Sequence, residues 1–543
     1  MLSTILWAGK GVSLTSFFSV MYFTMFLPAC IVLFALTPKK AKKYFVIFVS
    51  YMFFWFISGL LLAYLILSTV SMYFFGLWLS KVKDKLKQES AGLEKEERKA
   101  LKEKYNNKER GIVILSVVLH IGGLLVLKYA GFFSDNVNLL LNKFGIAGSI
   151  KAPQFMLPIG ISFFSLQALS YILDVHYGKI KADRNIGRLA LFICFFPQIV
   201  EGPICRYDQT ANQLWEIKQI TYENLTFGIQ RLLYGMLKKI VVADRLNTFV
   251  DHIFSNYSSF HGGVIAFAAV AYTIQLYMDF SGSMDAVIGT AQIFGIQMPE
   301  NFKHPFFSRT ISEFWTRWHI SLGTWFKDYI FYPITSAKKI KKLTSSARKK
   351  IGNHYGPLLA GSIALFAVWA CNGLWHGAAW NFIFFGMYHF VLILIGSLIN
   401  PLVRKTNSKL KINPDAKWYR AVQIFRTCVL VVIGELFFRA YGLKNGLHMF
   451  KRMVTNFSFL LIDETTMKTI GVDAKDFIIV GMVVIIVLCV SILSEKGVSV
   501  RRKLADTNIV VRWIVLYALI LCIVVFGAYG YGYVVVDPLY AQY

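Results

Sequence analysis

The sequence predicts an all-α polytopic membrane protein of about ten to twelve transmembrane helices, the number that spans of roughly 20 residues would give. Three observations predict it. Of the 543 residues, 56% are hydrophobic and only 16% charged, where a soluble chain carries nearer a quarter charged. Mean hydropathy is +0.52. Uncharged runs recur from end to end: Phe17–Leu36, Tyr44–Leu79, Ile112–Leu127, Leu358–Trp369, Val391–Ile399, Phe477–Leu493 and Trp513–Tyr529. The first is too long for a signal peptide and is followed by further spans, so it is read as retained.

The net charge of +28 reads as basic loops facing the cytosol, not as a nucleic-acid surface. These loops are Lys39–Lys43, Lys81–Arg110, Lys179–Arg188, Lys338–Lys350 and Arg501–Lys503. Lys81–Arg110 mixes eleven basic with seven acidic residues, the pattern of a solvated, partly helical loop. With Lys39–Lys43 inside, residues 44–80 cross twice, turning at Ser58-Gly59. Ile112–Leu127 leads out, Ser134–Pro153 forms an outside loop, and Phe155–Val175 returns. The seven cysteines lie in or beside apolar runs without CxxC spacing; they read as small buried hydrophobes.

Between Leu189 and Pro333 the apolar stretches are interrupted by Glu201-Gly202-Pro203, by Asp279 in YMDFSGSMD and by Glu300-Asn301. Carboxylates and backbone breaks at membrane depth belong in protein interior or along a watery cavity, so a cavity or re-entrant region is expected here. Ile311–Pro333, placed on a helical wheel, gathers Phe314, Trp315, Trp318, Leu322, Trp325, Phe326 and Tyr329 in one arc. Glu313, Thr316, Arg317, Thr324, Lys327 and Asp328 fall opposite, with His319 at the edge of the apolar stripe. That division predicts one interfacial helix, on the cytosolic side because Lys338–Lys350 follows.

NGLWHGAAWNF (Asn372–Phe382) places His376 inside an apolar segment, one turn after Asn372. A break is expected at Asn372-Gly373. Two readings stand. In one, the histidine is bonded to a neighbouring helix, with Gly373 and Gly377 allowing close packing. In the other, an intramembrane imidazole accepts a proton from a hydroxyl and the glycines let substrate approach. Asn372 would then hold the ring or bind an oxygen. His319 should lie near the cytosolic surface and His376 deeper. No third ligand stands at a recognisable spacing from the two, so no metal site is expected.

WHISLGTWFKDYIFYP (Trp318–Pro333) and NGLWHGAAWNF together resemble the signature of membrane-bound O-acyltransferases. LPIGISFFSLQALSYILDV, FFPQIVEGPICRY, LKKIVVADRL and YMDFSGSMDAVIGTAQIFGIQMPENF extend the likeness in order, from about Phe17 to about Gly442. The bacterial branch of alginate O-acetylating members is nearest, the teichoic acid D-alanylating members less so. Thr316 departs from that branch, where a second arginine is common, and VVVDPLYAQY (Val534–Tyr543) matches its aromatic C-terminus only loosely. The resemblance implies a ring of tilted helices around a central funnel, His376 as the catalytic histidine and His319 as the assisting one. Residues 1–442 would form the membrane core, with 443–543 as C-terminal transmembrane helices of the same domain.

The function expected on these grounds is transfer of an acyl group, acetyl from cytosolic acetyl-CoA, toward hydroxyls of an extracytoplasmic cell-wall or exported polysaccharide. Acyl-CoA would be a co-substrate and no cofactor would be tightly bound. Arg317 and Lys327 could steer the CoA phosphates; Asn372, Trp375, Trp318, Asp328 and Asp279 are candidates to line the tunnel. The expected partners are the lipid bilayer, a secreted or membrane-anchored esterase-like protein that completes the transfer, and the polysaccharide. Two alternatives stay open: an exporter of a polysaccharide precursor, and acylation of a lipid or protein by the same family.

Overall fold

The computed structural model describes residues 18–146, 148–151, 158–459, 462 and 464–529, and every regular element among them is helical. Phe17, Pro153, Leu157 and the tail VVVDPLYAQY, on which expectations were placed, lie outside the described residues. Among the described residues eight helices are long and apolar enough to cross a membrane, and Tyr22–Leu36 is a shorter apolar helix. The count falls below the ten to twelve expected. The shortfall lies in the middle third, where only Gly262–Ile293 qualifies and the polar and Gly/Pro interruptions cut the chain into shorter helices. One of the eight, Lys42–Glu89, is itself divided at Gly59 (φ 55°, ψ −130°), the position expected to turn.

The chain divides into two compact units, residues 1–229 with 287–299, and residues 230–286 with 300–543. The first contains α1 (Leu27–Leu36), α2 (Lys42–Ser58), α3 (Leu62–Glu89), α4 (Lys95–Val117), α5 (Gly123–Lys143), α6 (Ile161–Tyr177), α7 (Ile186–Cys194) and α8 (Tyr207–Trp215). Helix α6 is apolar nearly all round and is buried accordingly. It starts after Gly160 (φ 76°), where a Cβ would sit 2.1 Å from the Ile199 carbonyl oxygen, so only glycine fits that turn. The basic stretch Lys81–Arg110 is mostly helical, formed by the ends of α3 and α4. Lys83 donates to the carbonyls of Val175 and His176 at 2.6 and 2.7 Å. Helix α5 continues to Lys143, so Ser134–Lys143 is helical where an outside loop was expected. Its apolar residues, Val137 and Leu139–Leu141, are spaced among polar ones in a pattern a helix accommodates.

Helices α9 (Tyr222–Met236) and α11 (Gly262–Ile293) contribute residues to both units, and α10 (Asp244–Ser255) belongs to the second. Between α9 and α10 the LKKIVVA stretch forms a wider helical turn whose two lysines are buried and paired. Lys239 meets Asp244 at 2.7 Å and Asp279 at 2.5 Å. Lys238 pairs with Asp285, which also receives Arg231 at 2.9 Å. Buried charges persist only when matched, and these matches fasten α11. Arg245 pairs with Asp476 and donates to the Phe526 carbonyl at 2.6 Å, anchoring α20 (Ala474–Glu495) and α22 (Ile509–Phe526). The LKKIVVADRL motif is thus a clasp.

The expected single interfacial helix Ile311–Pro333 is instead broken into short pieces: α12 (Ile311–Arg317), α13 (Ile320–Phe326), a wider turn at Lys327–Phe331 and α14 (Tyr332–Ser336). The break falls at His319, whose backbone is left-handed (φ 47°, ψ 51°). Lys338–Lys350, expected as a loop, is the first arm of α15 (Lys338–His376), which turns at Gly352 (φ 86°, ψ 175°). The second arm runs unbroken through Asn372-Gly373. Gly373 serves packing there, because a Cβ would lie 2.6 Å from the Phe382 carbonyl oxygen. Helices α16 (Trp380–Lys409), α17 (Lys417–Arg439), α18 (Leu443–Thr455), α19 (Glu464–Ile470) and the short α21 (Val500–Ala505) complete this unit.

Candidate active site

The helix α15 ends at His376 because Gly377 turns to extended backbone (φ 177°) and Trp380 restarts a helix. Asn381 secures the restart by donating to the carbonyls of Phe438 and Ala440 at 3.2 and 3.3 Å. The His376 ring is buried, and aromatic edges surround it: Trp375 and Phe438 each at 5.0 Å between centroids and Phe385 at 6.0 Å. Both glycines serve close packing, one of the two readings the sequence left open. A Cβ on Gly377 would meet the Phe382 ring at 2.4 Å; the space is filled by that phenyl group.

His319 is also buried, which makes it an interior residue and not one on the edge of a surface stripe. Phe280 meets its ring edge-on at 4.7 Å. Asn301 holds its Nδ1: the amide nitrogen lies at 3.2 Å and the amide oxygen at 3.3 Å. The oxygen already accepts from the Ser321 N–H and hydroxyl, both at 2.9 Å. With that oxygen accepting from both Ser321 groups, the Asn301 N–H is assigned as the donor to Nδ1, which puts the ring proton on Nε2. Burial pushes the His319 pKa well below its ordinary value, so this imidazole is neutral at physiological pH.

Trp375 touches both rings, His319 at 5.7 Å and His376 at 5.0 Å. The residues that the sequence singled out 57 positions apart therefore share one indole. Asn372 is buried, and its Oδ1 has no hydrogen-bond partner among the described residues. Trp318 is buried in an aromatic cluster with Phe302, Phe314, Tyr277 and Phe306. Arg317 bridges Glu313 at 2.9 Å and Glu495 at 2.6 Å. Asp279 sits in the Lys239 clasp. Lys327 is exposed and lies over the Tyr332 ring at 5.6 Å, beside the half-buried Asp328.

A cavity of about 1090 Å³ reaches Asn301, and Arg317, Lys303, His304 and Arg501 line it together with Arg231 and Lys238. Asp285, Glu300 and Glu495 are its acidic members, so basic groups exceed acidic ones. Lys327, Asp328 and Asp279 are not among its lining residues. Helices α20 and α22 form its apolar wall, through Ile486, Val490, Val515 and Leu519.

Sequence reasoning missed three parts of this arrangement. Asn301 was noticed only as a polar interruption, because its partner His319 is 18 residues away. Phe438 looked like one more apolar residue of a span. Glu435, one turn before it on α17, is buried with its Oε2 lacking a partner among the described residues. A carboxylate within VVIGELFF was the signal that could have drawn attention to it.

The family model described as MBOAT, membrane-bound O-acyltransferase family, matches residues 181–348. The probable alginate O-acetylase of Azotobacter vinelandii is 31% identical over 445 residues, which cover 82% of this chain and 78% of that protein. The peptidoglycan O-acetyltransferase of Helicobacter pylori is 27% identical over 368 residues, 63% of this chain and 64% of that one. The teichoic acid D-alanyltransferase of Bacillus subtilis is 31% identical over 290 residues, 52% of this chain and 68% of that one. Membership in a family of acyltransferases decides for the enzyme over the exporter. A long, well-covered relationship, regular structure that is all helical with eight candidate spans among the described residues, and the order of shared motifs lead to one conclusion: this multi-pass protein of the bacterial cell membrane is an acyltransferase of the membrane-bound O-acyltransferase family.

Proposed function

We propose that this acyltransferase moves a short acyl group, acetyl from cytosolic acetyl-CoA, to an acceptor hydroxyl on its way toward hydroxyls of an extracytoplasmic wall or exported polysaccharide, with His376 as general base. One observation carries the reading: the buried His376 and His319 rings both contact Trp375. The relatives named for alginate, peptidoglycan and teichoic acid support a polymer acceptor.

In this mechanism the His376 ring takes the proton of the acceptor hydroxyl as its oxygen attacks the thioester carbonyl carbon. The C–O bond forms, the C–S bond breaks, and the thiolate leaves with the proton returned from the imidazolium. His319, with its proton on Nε2, donates to the carbonyl oxygen as negative charge develops there. The Asn372 Oδ1, an unused acceptor in the same buried turn, accepts from a second donor group of the acceptor and so orients the attacking hydroxyl. The cavity lined by Arg231, Lys238, Lys303, Arg317 and Arg501 receives the phosphates of the donor, while Lys327, on the surface, steers them at longer range. Residues 443–543 belong to the same membrane domain as 1–442, the Arg245 contacts to Asp476 and Phe526 being the support. A secreted or anchored esterase-like partner completes delivery to the polymer.

The test is a chromosomal His376→Ala substitution, with wall and secreted polymers analysed by mass spectrometry and the membrane level of the protein measured alongside. Loss of polymer O-acetyl groups at unchanged protein level is expected. Unchanged acetylation would sink the assignment of His376, and loss of D-alanyl esters instead would replace acetyl as the transferred group.

A further inference from the structure

The basic segment Lys338–Lys350, KKIKKLTSSARKK, has seven cations and no acid, and nothing in acyl transfer at the histidines uses it. The structure shows where it goes. At Gly352, φ 86° reverses the chain, a conformation that favours glycine. Four residues on, a Cβ at Gly356 would sit 2.4 Å from the Arg348 backbone nitrogen. The cationic arm therefore folds back against the start of the span, and glycine at 356 is what lets it approach.

That fold-back aligns one stripe of the arm. Lys341, Thr344, Ser345 and Arg348 follow one another at i, i+3, i+4 and i+7, one face of a helix, and all four line a cleft of about 490 Å³. The opposite side of the cleft is apolar: Phe331 from the segment that continues from His319, and Pro357, Ala360 and Gly361 from the long arm that ends in His376. Two cations with two hydroxyls between them match a phosphodiester. The apolar floor begins where α15 changes from charged to hydrocarbon-compatible sequence, the depth at which lipid phosphates lie. A free inorganic phosphate would find no use for that floor.

We propose that this cleft is a binding site for one anionic phospholipid, its phosphate between Lys341 and Arg348 and its glycerol and chains along Pro357–Gly361. The bound lipid ties together the two chain segments that lead to His319 and His376. The site does not depend on which acyl group or acceptor the enzyme uses, so its test reads binding alone.

The full-length protein, purified in mild detergent, is mixed with equal amounts of phosphatidylglycerol and phosphatidylcholine, and retained lipid is counted by native mass spectrometry. One retained phosphatidylglycerol per chain is expected. K341Q/R348Q should lower its retention roughly tenfold or more, given the attraction each cation adds near an anionic lipid. K339Q/K350Q removes the same charge from the far arc of the helix, about 170° around the wheel, and should change retention less than about twofold. G361L supplies an independent variant: Gly361 lines the cleft and a Cβ there meets nothing within 4 Å, so a leucine side chain starts in open space, occupies the cleft and should displace the lipid. Equal loss in both charge variants, equal retention of the zwitterionic lipid, retention unchanged in G361L, or full displacement of phosphatidylglycerol by millimolar inorganic phosphate would each overturn the proposal.

Discussion

His376 and His319 are both buried and both touch Trp375, yet they are held in different ways. His376 stands at the end of a long helix, where the rings of Trp375, Phe385 and Phe438 confine it edge-on. His319 sits on a strained left-handed backbone between two one- to two-turn helices, with an amide fixing its Nδ1. An aromatic cage suits a ring that must gain and lose a proton. A hydrogen-bonded ring in one tautomer suits a donor that keeps its proton. The difference teaches that two similar histidines need not share one role, and each expectation below breaks or sharpens that contrast.

The largest effect is expected at His376. Alanine there removes the base, and transfer to polymer should fall by at least about 10²-fold, the usual contribution of a general base. Because alanine also leaves a cavity among Trp375, Phe385 and Phe438, some loss of thermal stability is expected, and the rate is taken per folded molecule. If His376→Gln, which can accept a hydrogen bond but not serve as a base near neutrality, retains full turnover in a labelled acetyl-transfer assay, the contrast is wrong at its root.

A smaller loss follows at His319. Asparagine is the informative replacement: outside glycine it tolerates φ 47° well, whereas alanine would add a backbone cost of about 1 kcal/mol. His319→Asn should lower kcat more than it raises KM for the donor, as expected for a group that acts on developing charge. A change confined to KM would make His319 a ground-state binding residue. Asn301→Ala should reproduce part of this, roughly tenfold, by freeing the ring to take either tautomer. An Asn301→Ala enzyme with undiminished kcat would show that the tautomer does not matter.

How much of this was legible in the sequence differs between the two sites for the same physical reason. His376 announces itself because an ionisable ring in an apolar run is costly, and that signal needs no partner. The kink at His319 was invisible to a helical wheel, which assumes the helix it tests; the Ile311–Pro333 stripe scored well although the chain breaks inside it. Asn301 was hidden because its meaning depends on a contact across 18 residues. The Gly373 and Gly377 positions were recognised as close approaches, but what approaches is Phe382, a neighbour supplied by the fold. Fold class could be read, and so could the two histidines that share Trp375 as candidates; helix count, tautomer and cavity could not, since they depend on where segments meet.

A third buried histidine provides the control for the contrast. His389 on α16 accepts a hydrogen bond from the Trp315 indole at 3.2 Å and stacks on Trp369 at 5.4 Å. Its ring is as fully enclosed as the other two, but its partners are Trp315 on α12, four residues before His319, and Trp369, Phe385 and Tyr388, not Trp375 or Asn301. Burial alone therefore does not distinguish the three histidines; the shared indole sets His319 and His376 apart, and the proposed roles rest on it. His389→Phe would fill the space but leave the indole N–H without its acceptor, at a cost of about 1–3 kcal/mol. The expected readout is a fall of a few degrees in melting temperature, with the transfer rate per folded molecule, measured below the transition, within about twofold of wild type. A stable His389→Phe protein with abolished transfer would reverse the conclusion, placing chemistry at His389 and removing the reason to single out the pair on Trp375.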